Sequence, residues 1–478
     1  MEYDPKKVIC SCARVTCGDM ADAVRAGAKT VSDIRERTRA TAFCGSCTDR
    51  VEGFLNDLLS GEAVPAPQEP AAADTDEHPA PLYREVCQDI YMIGGSDRRL
   101  ERFENQYPIP RGVSYNSYLL LDDKNVLLDT VDHAVEDLFF RNLETLLRGK
   151  KLDYVVVNHM EPDHCSALGR VLARWPESQV ITTPGAKKMI AQFFGPDFQD
   201  RVQEVRDGVS VMTGKHILSF HTAPMVHWPE VMVTYDRFSE TLFSADAFGT
   251  FGALDGNLFA DQVDFERDWM DDARRYYTNI VGKYGAQVQA LLKKAAGLTI
   301  HRICPLHGPI WRRDLGLFLD KYQKWSTYTP EKQGVLIAYA SVYGHTEQTC
   351  QALANALSIQ GVRDVRMYDV SKTDVSEILS EAFCRSHLVL ASVTYNGEIF
   401  PAMEHLIREL RAHGLKNRKV ALVENGTWAP VAGRKMTALL EGSGMEILPG
   451  TVTVRSQLTR GQLGQIDALA KAIADTLE

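Results

Sequence analysis

The segment Tyr154-Val-Val-Val157-Asn158-His159-Met160-Glu161-Pro162-Asp163-His164 constrains this chain more than any other. Four potential metal ligands follow directly on an apolar, strand-like run. In extended backbone alternate side chains point the same way, so positions 159, 161 and 163 can share a face, and Asp163 can also open a following helix. Burying that much charge without a cation is very costly, so the segment reads as a metal loop at the end of a buried strand. Further candidates are His227 in Val-His-Trp-Pro, Asp246 in Ser-Ala-Asp-Ala-Phe and His307 in Pro-Leu-His-Gly-Pro. Spacing alone does not choose His227 over His221. Taken singly, His133, His216, His221 and His301 read as ordinary surface or core histidines, and Cys165 and Cys304 as small buried apolar residues beside ligands.

At 478 residues the chain has room for about three domains of roughly 150 residues each. A net charge of −10 argues against nucleic acid or anionic membranes as partners. Nothing apolar is long enough to span a bilayer, and Met1-Glu-Tyr-Asp-Pro-Lys-Lys7 has no apolar core of a secretory signal, so the expected compartment is the cytoplasm. Residues 61–81 hold five prolines, six alanines and five acids and read as a linker. A second boundary falls near Thr329-Pro-Glu-Lys-Gln-Gly334. The expected division is 1–60, linker 61–81, 82–330 and 331–478.

Five of the ten cysteines lie in the first 47 residues. Cys10-x-Cys12 and Cys44-x-x-Cys47 form two close pairs that can hold a tetrahedral zinc or a [2Fe–2S] cluster. Cys17 lies outside the pattern. Thr30 and Asp33 begin a helix as a capping box, and Gly27 ends the one before it.

In the middle segment, strands are predicted at 115–121 and 125–129 (a hairpin), 154–157, 179–183, 231–235 and 241–244, with helices near 134–147, 165–174 and 271–296. The last segment alternates strands at about 335–340, 364–370, 387–393, 419–424 and 446–453 with helical patterns, which predicts a parallel doubly wound sheet. Three loops follow its strands: Ser341-Val342-Tyr343-Gly344-His345-Thr346, Thr394-Tyr395-Asn396-Gly397 and Asn425-Gly426-Thr427-Trp428. The first has the backbone amides and hydroxyls to cradle a phosphate at a helix N-terminus. Tyr395 and Trp428 can cover a flat ring.

Three resemblances cover the chain. Val8-Ile-Cys-Ser-Cys12, the segment 15–38 and Ala42-Phe-Cys-Gly-Ser-Cys47 resemble the bacterioferritin-associated-ferredoxin-like [2Fe–2S] domain, which implies Cys10, Cys12, Cys44 and Cys47 as ligands and an electron entry port. The run H-x-E-x-D-H, followed by a histidine, an aspartate and a histidine at long gaps, resembles the metallo-β-lactamase superfamily and, within it, the flavodiiron proteins. Zinc hydrolases of that superfamily carry a second histidine where Glu161 stands, and three carboxylates make a harder site suited to iron. The resemblance implies two non-haem irons. His159, Glu161 and His227 would bind one, Asp163 and His307 the other, and Asp246 would bridge, with His164 at a position that varies between ligand and bystander.

The three loops resemble flavodoxin, which implies FMN, although His345 and Gly397 stand where Asn is frequent and Asn425-Gly-Thr-Trp departs from the commoner Gly-Ser-x-Gly-Trp. The implied fold is an α/β multidomain chain: a small helical [2Fe–2S] domain, a metallo-β-lactamase-like αββα sandwich, and a flavodoxin-like doubly wound parallel sheet of order 2-1-3-4-5. The implied activity is reduction of O2 to water, of NO to N2O, or both, with electrons passing from [2Fe–2S] to FMN to diiron. An unidentified reductase or small redox protein would donate them, and the assembly would be a head-to-tail homodimer or dimer of dimers. A zinc metallohydrolase using metal-bound hydroxide and a non-catalytic redox sensor or electron carrier are the alternatives from other classes.

Overall fold

Side-chain alternation on short strands builds the larger part of the chain. The computed structural model describes residues 2–5, 7–11, 13–42, 45–65 and 79–477. They form two units, 1–80 and 81–478.

In the larger unit, a seven-stranded sheet runs in the order 202–204, 179–182, 154–156, 126–128, 118–120, 90–92 and 84–87. Leu119, Leu127, Val155 and Val180 turn to one side, where Phe139, Leu143, Leu168 and Val171 of covering helices meet them. Tyr118, Leu120, Val126, Leu128, Val156 and Ile181 turn to the other, against Leu218, Phe220, Met232, Phe243 and Cys304 of a five-stranded sheet. That second sheet runs 210–212, 217–222, 232–236, 241–243, 302–304. Each fully buried aliphatic in this inter-sheet core contributes about 1.5–3 kcal/mol. The predicted αββα sandwich is therefore present. The expected hairpin pairs Tyr118–Leu120 with Val126–Leu128 in antiparallel register.

The elements differ from their sequence predictions where polar side chains or tight packing intervene. The run 115–121 is not one strand, because Asn116 and Ser117 interrupt it. Asn116 Nδ2 donates to the carbonyls of Pro305 and Gly308, both at 2.9 Å, and Ser117 Oγ donates to Asp129 O at 2.9 Å. The predicted helix at 271–296 is instead Met270–Tyr276, a π turn at Tyr277–Val281, a short 3₁₀ turn, and Gly285–Ala295. Gly285 packs so tightly that a Cβ there would lie 2.3 Å from Ser326 O. The region 165–174 divides into Pro162–Cys165 and Leu168–Arg174, and 446–453 into Glu446–Ile447 and Val452–Val454.

The C-terminal sheet is parallel in the order 365–369, 332–340, 385–395, 419–425, 446–447, with 452–454 continuing beside 419–425. This is the expected 2-1-3-4-5. One face packs on helices 345–359 and 463–474. The other face shares a single apolar core with the sandwich. Buried Arg418 joins the two parts, donating to Ala382 O at 2.9 Å and to Tyr328 O and Phe383 O at 2.6 Å.

The smaller unit holds helices Cys17–Arg25, Val31–Thr38 and Thr48–Ser60 around Ile9, Met20, Ile34, Val51 and Leu55. Thr30 and Asp33 form the expected reciprocal capping box, and Thr16 with Asp19 forms another. The centre of the 61–81 segment lies outside the described residues. Among the described residues no helix is long and apolar enough to cross a membrane.

Candidate metal centre and flavin loops

The strand Tyr154–Val156 delivers the metal loop, and Asp129 fixes how the loop leaves it. The Asp129 carboxylate accepts from Asn158 N and Asn158 Nδ2, both at 2.7 Å, and from His159 N at 3.2 Å. Glu161 then stands at the N-cap of the short helix Pro162–Cys165, which turns Asp163 and His164 inward. The loops after Thr222 and Phe243 bring in His227 and Asp246. The loop after Cys304 brings in His307, whose Nδ1 lies 2.7 Å from Ser114 O.

Seven side chains converge as two adjoining groups: His159, Glu161, His227 and Asp246, and Asp163, His164 and His307. In the first, Glu161 Oε2 lies 3.2 Å from His159 Nε2 and 2.9 Å from His227 Nε2. Asp246 Oδ2 lies 3.1 Å from His227 Nε2 and 3.3 Å from His159 Nε2. The other oxygen of Asp246, Oδ1, lies 3.1 Å from His164 Nε2 and 3.7 Å from His307 Nε2. Asp163 Oδ2 is 3.3 Å from each of those two imidazoles. One carboxylate thus turns an oxygen to each group. Behind the centre, His159 Nδ1 lies 2.9 Å from Glu230 Oε1, which also accepts from Met160 N at 2.9 Å.

Burial opposes every charge here, and the neighbours decide the outcome. For Asp246 the cost of burial is overcome by His164 and His159, which hold its carboxyl well below the usual range. His227 is buried too, but hydrogen bonds to Asp246 and Glu161 lift it to about 9. Asp163 is pushed up to about 7 by burial and by the Glu161 and Asp246 carboxylates. Burial lowers His307.

A cation fits this donor set. Both oxygens of Asp163, Oδ1 of Asp246 and Nδ1 of His164 are buried without a hydrogen-bond partner, and each buried polar group left unpaired costs about 1–3 kcal/mol. Cations between the groups would meet the carboxylate oxygens and replace the mutual ion pairing of imidazoles and carboxylates. His221 is not part of the centre; it lies 3.2 Å from Ser219 Oγ. His216 is fully buried, with Nδ1 2.7 Å from Asp236 Oδ2. Cys165 and Cys304 are buried as expected.

Sequence reasoning missed Asp129, Glu230 and Tyr276. Tyr276 is fully buried with its hydroxyl unpartnered and its ring 5.5 Å from that of His307. None of the three sits in a recognisable spacing, because each meets the centre only through tertiary contact.

The three flavin-loop candidates lie at the carboxyl ends of adjacent parallel strands. Ser341 Oγ accepts from Gly344 N at 3.1 Å and Glu347 N at 3.3 Å, which shapes the turn into helix 345–359. His345 Nδ1 is a buried atom without a partner. Thr394 serves the fold, its Oγ1 accepting from Val431 N at 3.0 Å and Ala432 N at 3.2 Å. Asn396 and Gly397, with φ of 51° and 70°, form a tight hairpin turn that pairs Tyr395 with Glu398. Asn425 Nδ2 donates to Ser456 O, and Ser456 Oγ donates to Thr427 Oγ1. Tyr343 and Trp428 are 88% and 86% exposed, with Val342 and Tyr395 beside them in exposure at 45% and 46%. Large rings left this open at the ends of inner strands form an apolar rim suited to a planar ligand.

In the smaller unit Cys10 and Cys47, one from each pair, are buried and in hydrogen-bonding contact. Cys12 and Cys44 lie outside the described residues.

An αββα sandwich carrying a double metal-ligand group, fused to a doubly wound sheet, defines a metallo-β-lactamase-like protein with a flavodoxin-like partner domain. Residues 113–308 match the family described as ODP family beta lactamase, and residues 8–57 match the BFD-like [2Fe-2S] binding domain. The chain is 30% identical over 371 residues to the anaerobic nitric oxide reductase flavorubredoxin of Vibrio vulnificus, covering 76% of this chain and 73% of that one. Its structure is similar to the rubredoxin oxygen:oxidoreductase of Desulfovibrio gigas, with a TM-score of 0.77 at 27% identity, over 83% of this chain and 98% of that one. It is equally similar to a flavoprotein of Thermotoga maritima, with a TM-score of 0.76 at 27% identity, over 84% of this chain and all of that one. The chain belongs to the flavodiiron proteins and is an oxidoreductase. FMN, a pair of non-haem irons and a [2Fe–2S] cluster are its cofactors.

Proposed function

We propose that this protein reduces O2 to water, NO to N2O, or both, with electrons entering at the [2Fe–2S] cluster and passing through FMN to the iron pair. The observation that carries the reading is Asp246, whose two oxygens face two separate ligand groups. The Vibrio vulnificus relative is named for nitric oxide and the Desulfovibrio gigas relative for oxygen, which supports both gases.

His159, Glu161 and His227 would hold one iron and Asp163, His164 and His307 the other, with Asp246, which turns an oxygen to each group, shared between them. The direction of His164 Nε2 toward Asp246 and Asp163 supports counting it as a ligand. The irons, when bound, would supply the redox chemistry for reducing a diatomic gas. The chain's residues keep the pair adjacent, orient the imidazoles through Glu230 and Ser114 O, and exclude bulk water with Phe103, Tyr115 and Tyr276 around His307.

FMN would be held by the loops 341–346, 394–397 and 425–428, the backbone amides and hydroxyls of the first being suited to its phosphate. Cys10, Cys12, Cys44 and Cys47 hold the cluster. Residues 1–60, 82–330 and 331–478 are the cluster, iron and flavin domains, joined first by the 61–81 linker. The exposed rims of Tyr343 and Trp428 support a head-to-tail dimer in which the flavin of one subunit serves the irons of the other. The protein works in the cytoplasm with a reductase or small redox protein as donor.

Electrode-monitored consumption of O2 and of NO by purified protein, run separately with one chemical reductant, tests this reading. Consumption of either gas at a rate proportional to iron and FMN content is expected. No consumption of either by protein loaded with all its cofactors would overturn it.

A further inference from the structure

The loop that delivers His307 is fastened to the segment 114–118 at several points. Asn116 N donates to Leu306 O at 2.7 Å, and the Tyr118 hydroxyl donates to Pro305 O at 2.6 Å. Ser114 Oγ accepts from Gly308 N at 2.7 Å. The fully buried Asn116 side chain spans the loop itself, its Nδ2 donating to Pro305 O and Gly308 O, both at 2.9 Å. One amide thus joins the carbonyls on either side of Leu306 and His307. Its own oxygen, Oδ1, is buried without a partner, at a cost of about 1–3 kcal/mol. What the amide contributes against that cost is its two N–H groups.

The fastening sets which nitrogen of the imidazole is free. Ser114 O, 2.7 Å from His307 Nδ1, can only accept, so Nδ1 carries the proton and Nε2 presents a lone pair. Nε2 faces Asp163 Oδ2 at 3.3 Å and His164 Nε2 at 3.1 Å. His159 is oriented by a carboxylate side chain, Glu230. His307 is oriented by a backbone carbonyl, so its aim depends on the 305–308 loop staying in register with 114–116. We propose that Asn116 and Ser114 are positioning residues for the iron held by Asp163, His164 and His307: by holding the loop across both sides of His307 they fix where its Nε2 points. This rests on the reading of the seven side chains as iron ligands.

Asn116→Asp keeps the size of the side chain and loses both donors, and Ser114→Ala removes only the side-chain acceptor of Gly308 N. Asn142→Asp is the control. Asn142 is equally buried and its Nδ2 also donates to two carbonyls, those of Leu82 and Ile93, but neither lies in a loop that carries a ligand. Each variant is compared with wild type by iron affinity in competition with a chelator, by Mössbauer spectra of the reduced protein, and by FMN content and melting temperature. Asn116→Asp is expected to bind one iron as wild type does and the other about 10–100-fold more weakly, the range of second-sphere effects. The Mössbauer parameters of that iron alone should change. Ser114→Ala should weaken the same iron by less. Asn142→Asp should lower the melting temperature and leave both irons as they are. Wild-type affinity and spectrum in Asn116→Asp overturn the proposal, and so does equal iron loss in Asn142→Asp, which makes the effect one of stability alone. Should Asn116→Asp not fold, Ser114→Ala decides, and an unweakened second iron there overturns the proposal. Wild-type protein that binds no iron pair overturns the underlying assignment instead, a failure read from the wild type alone.

Discussion

His159 is gripped from behind by Glu230, which orients the ring and raises its basicity as a ligand, and second-sphere carboxylates of this kind are worth about 10–100-fold in metal affinity. Glu230→Gln, which keeps the shape and loses the charge, should therefore lower iron affinity by that factor, read by competition with a chelator, while FMN content stays unchanged. His216 shows the opposite use of an imidazole. It is buried between Asp236 at 2.7 Å and Asp89 at 3.4 Å, with Asp122 and Lys215 as further charged neighbours. Burial would lower its pKa, but these hydrogen bonds lift it to about 9. The stability it contributes is complete below about pH 6.5, its ordinary value, and is lost as pH rises through about 9. Asp236 and Asp89, held below their ordinary values by His216 against the cost of burial, contribute stability that is lost at acid pH instead. His216→Asn should cost about 3 kcal/mol near neutral pH, as removal of one partner of a buried pair does. The gap in melting temperature between variant and wild type should shrink by pH 10 and persist at pH 6; an equal gap at both would refute the ion pair. The candidates at 159–164 were legible because H-x-E-x-D-H is local in sequence, while His227, Asp246 and His307 were assigned through the family resemblance. Glu230 and the His216 pairing were not legible, since each depends on strands that meet only in the folded sheets. The same limit left spacing unable to choose between His221 and His227. The family resemblance separated them, and the fold separates them again by placing His227 in the ligand cluster.

Elements follow their sequence periodicity where one face meets one core, and depart from it where a segment serves two. The inner strands of the flavin domain, 332–340, 385–395 and 419–425, came out where the alternation placed them, largely buried on both faces and rich in apolar residues. The edge strand Val365–Asp369 is only half-buried, and the predicted 446–453 strand is divided. The predicted helix 271–296 did not, because Tyr277–Val281 packs against the sandwich and against helix 375–384 at once. Asn279 Nδ2 donates to Arg275 O at 2.7 Å and to Ser376 O at 3.2 Å, across that junction, and a π turn accommodates both demands. Loops carry the same lesson in reverse. The Asn396-Gly397 pair was singled out as a flavin contact, and the structure shows it first as a hairpin turn requiring positive φ. A Cβ on Gly397 would touch nothing within 4 Å, so its cost is conformational alone. Gly397→Ala should strain the turn by about 1 kcal/mol, which as a binding loss is about fivefold in FMN affinity. Fluorescence titration of the apoprotein with FMN checks this, and unchanged affinity would remove the turn from the flavin site.

At the scale of the whole molecule, the iron and flavin domains share one apolar core and are locked by Arg418, so a subunit has little freedom to swing its own flavin loops toward its own iron centre. Tyr343 and Trp428 remain exposed on the single chain. Both facts favour a second copy as the surface against which the flavin works, and that arrangement has a consequence that no monomeric design shares. Asp246→Ala removes the shared carboxylate and should abolish gas reduction while leaving FMN bound. A second variant, with Gly344→Glu in the 341–346 loop, places a carboxylate where the proposed reading puts the FMN phosphate, in a left-handed backbone position at φ 88°. It should lose FMN while keeping its irons. Each homodimer is then inactive. In a mixed head-to-tail dimer, the flavin of the Asp246→Ala subunit faces the intact irons of the Gly344→Glu subunit. One working couple per dimer is restored, so a statistical mixture should recover about a quarter of wild-type activity: half the dimers are mixed, each with half the couples. Co-expression with two different affinity tags isolates the mixed species for the electrode assay. Recovery near half of wild type in that purified species supports electron transfer between subunits. Its absence, with mixed dimers, iron and FMN all verified, means that each subunit must reduce its own irons.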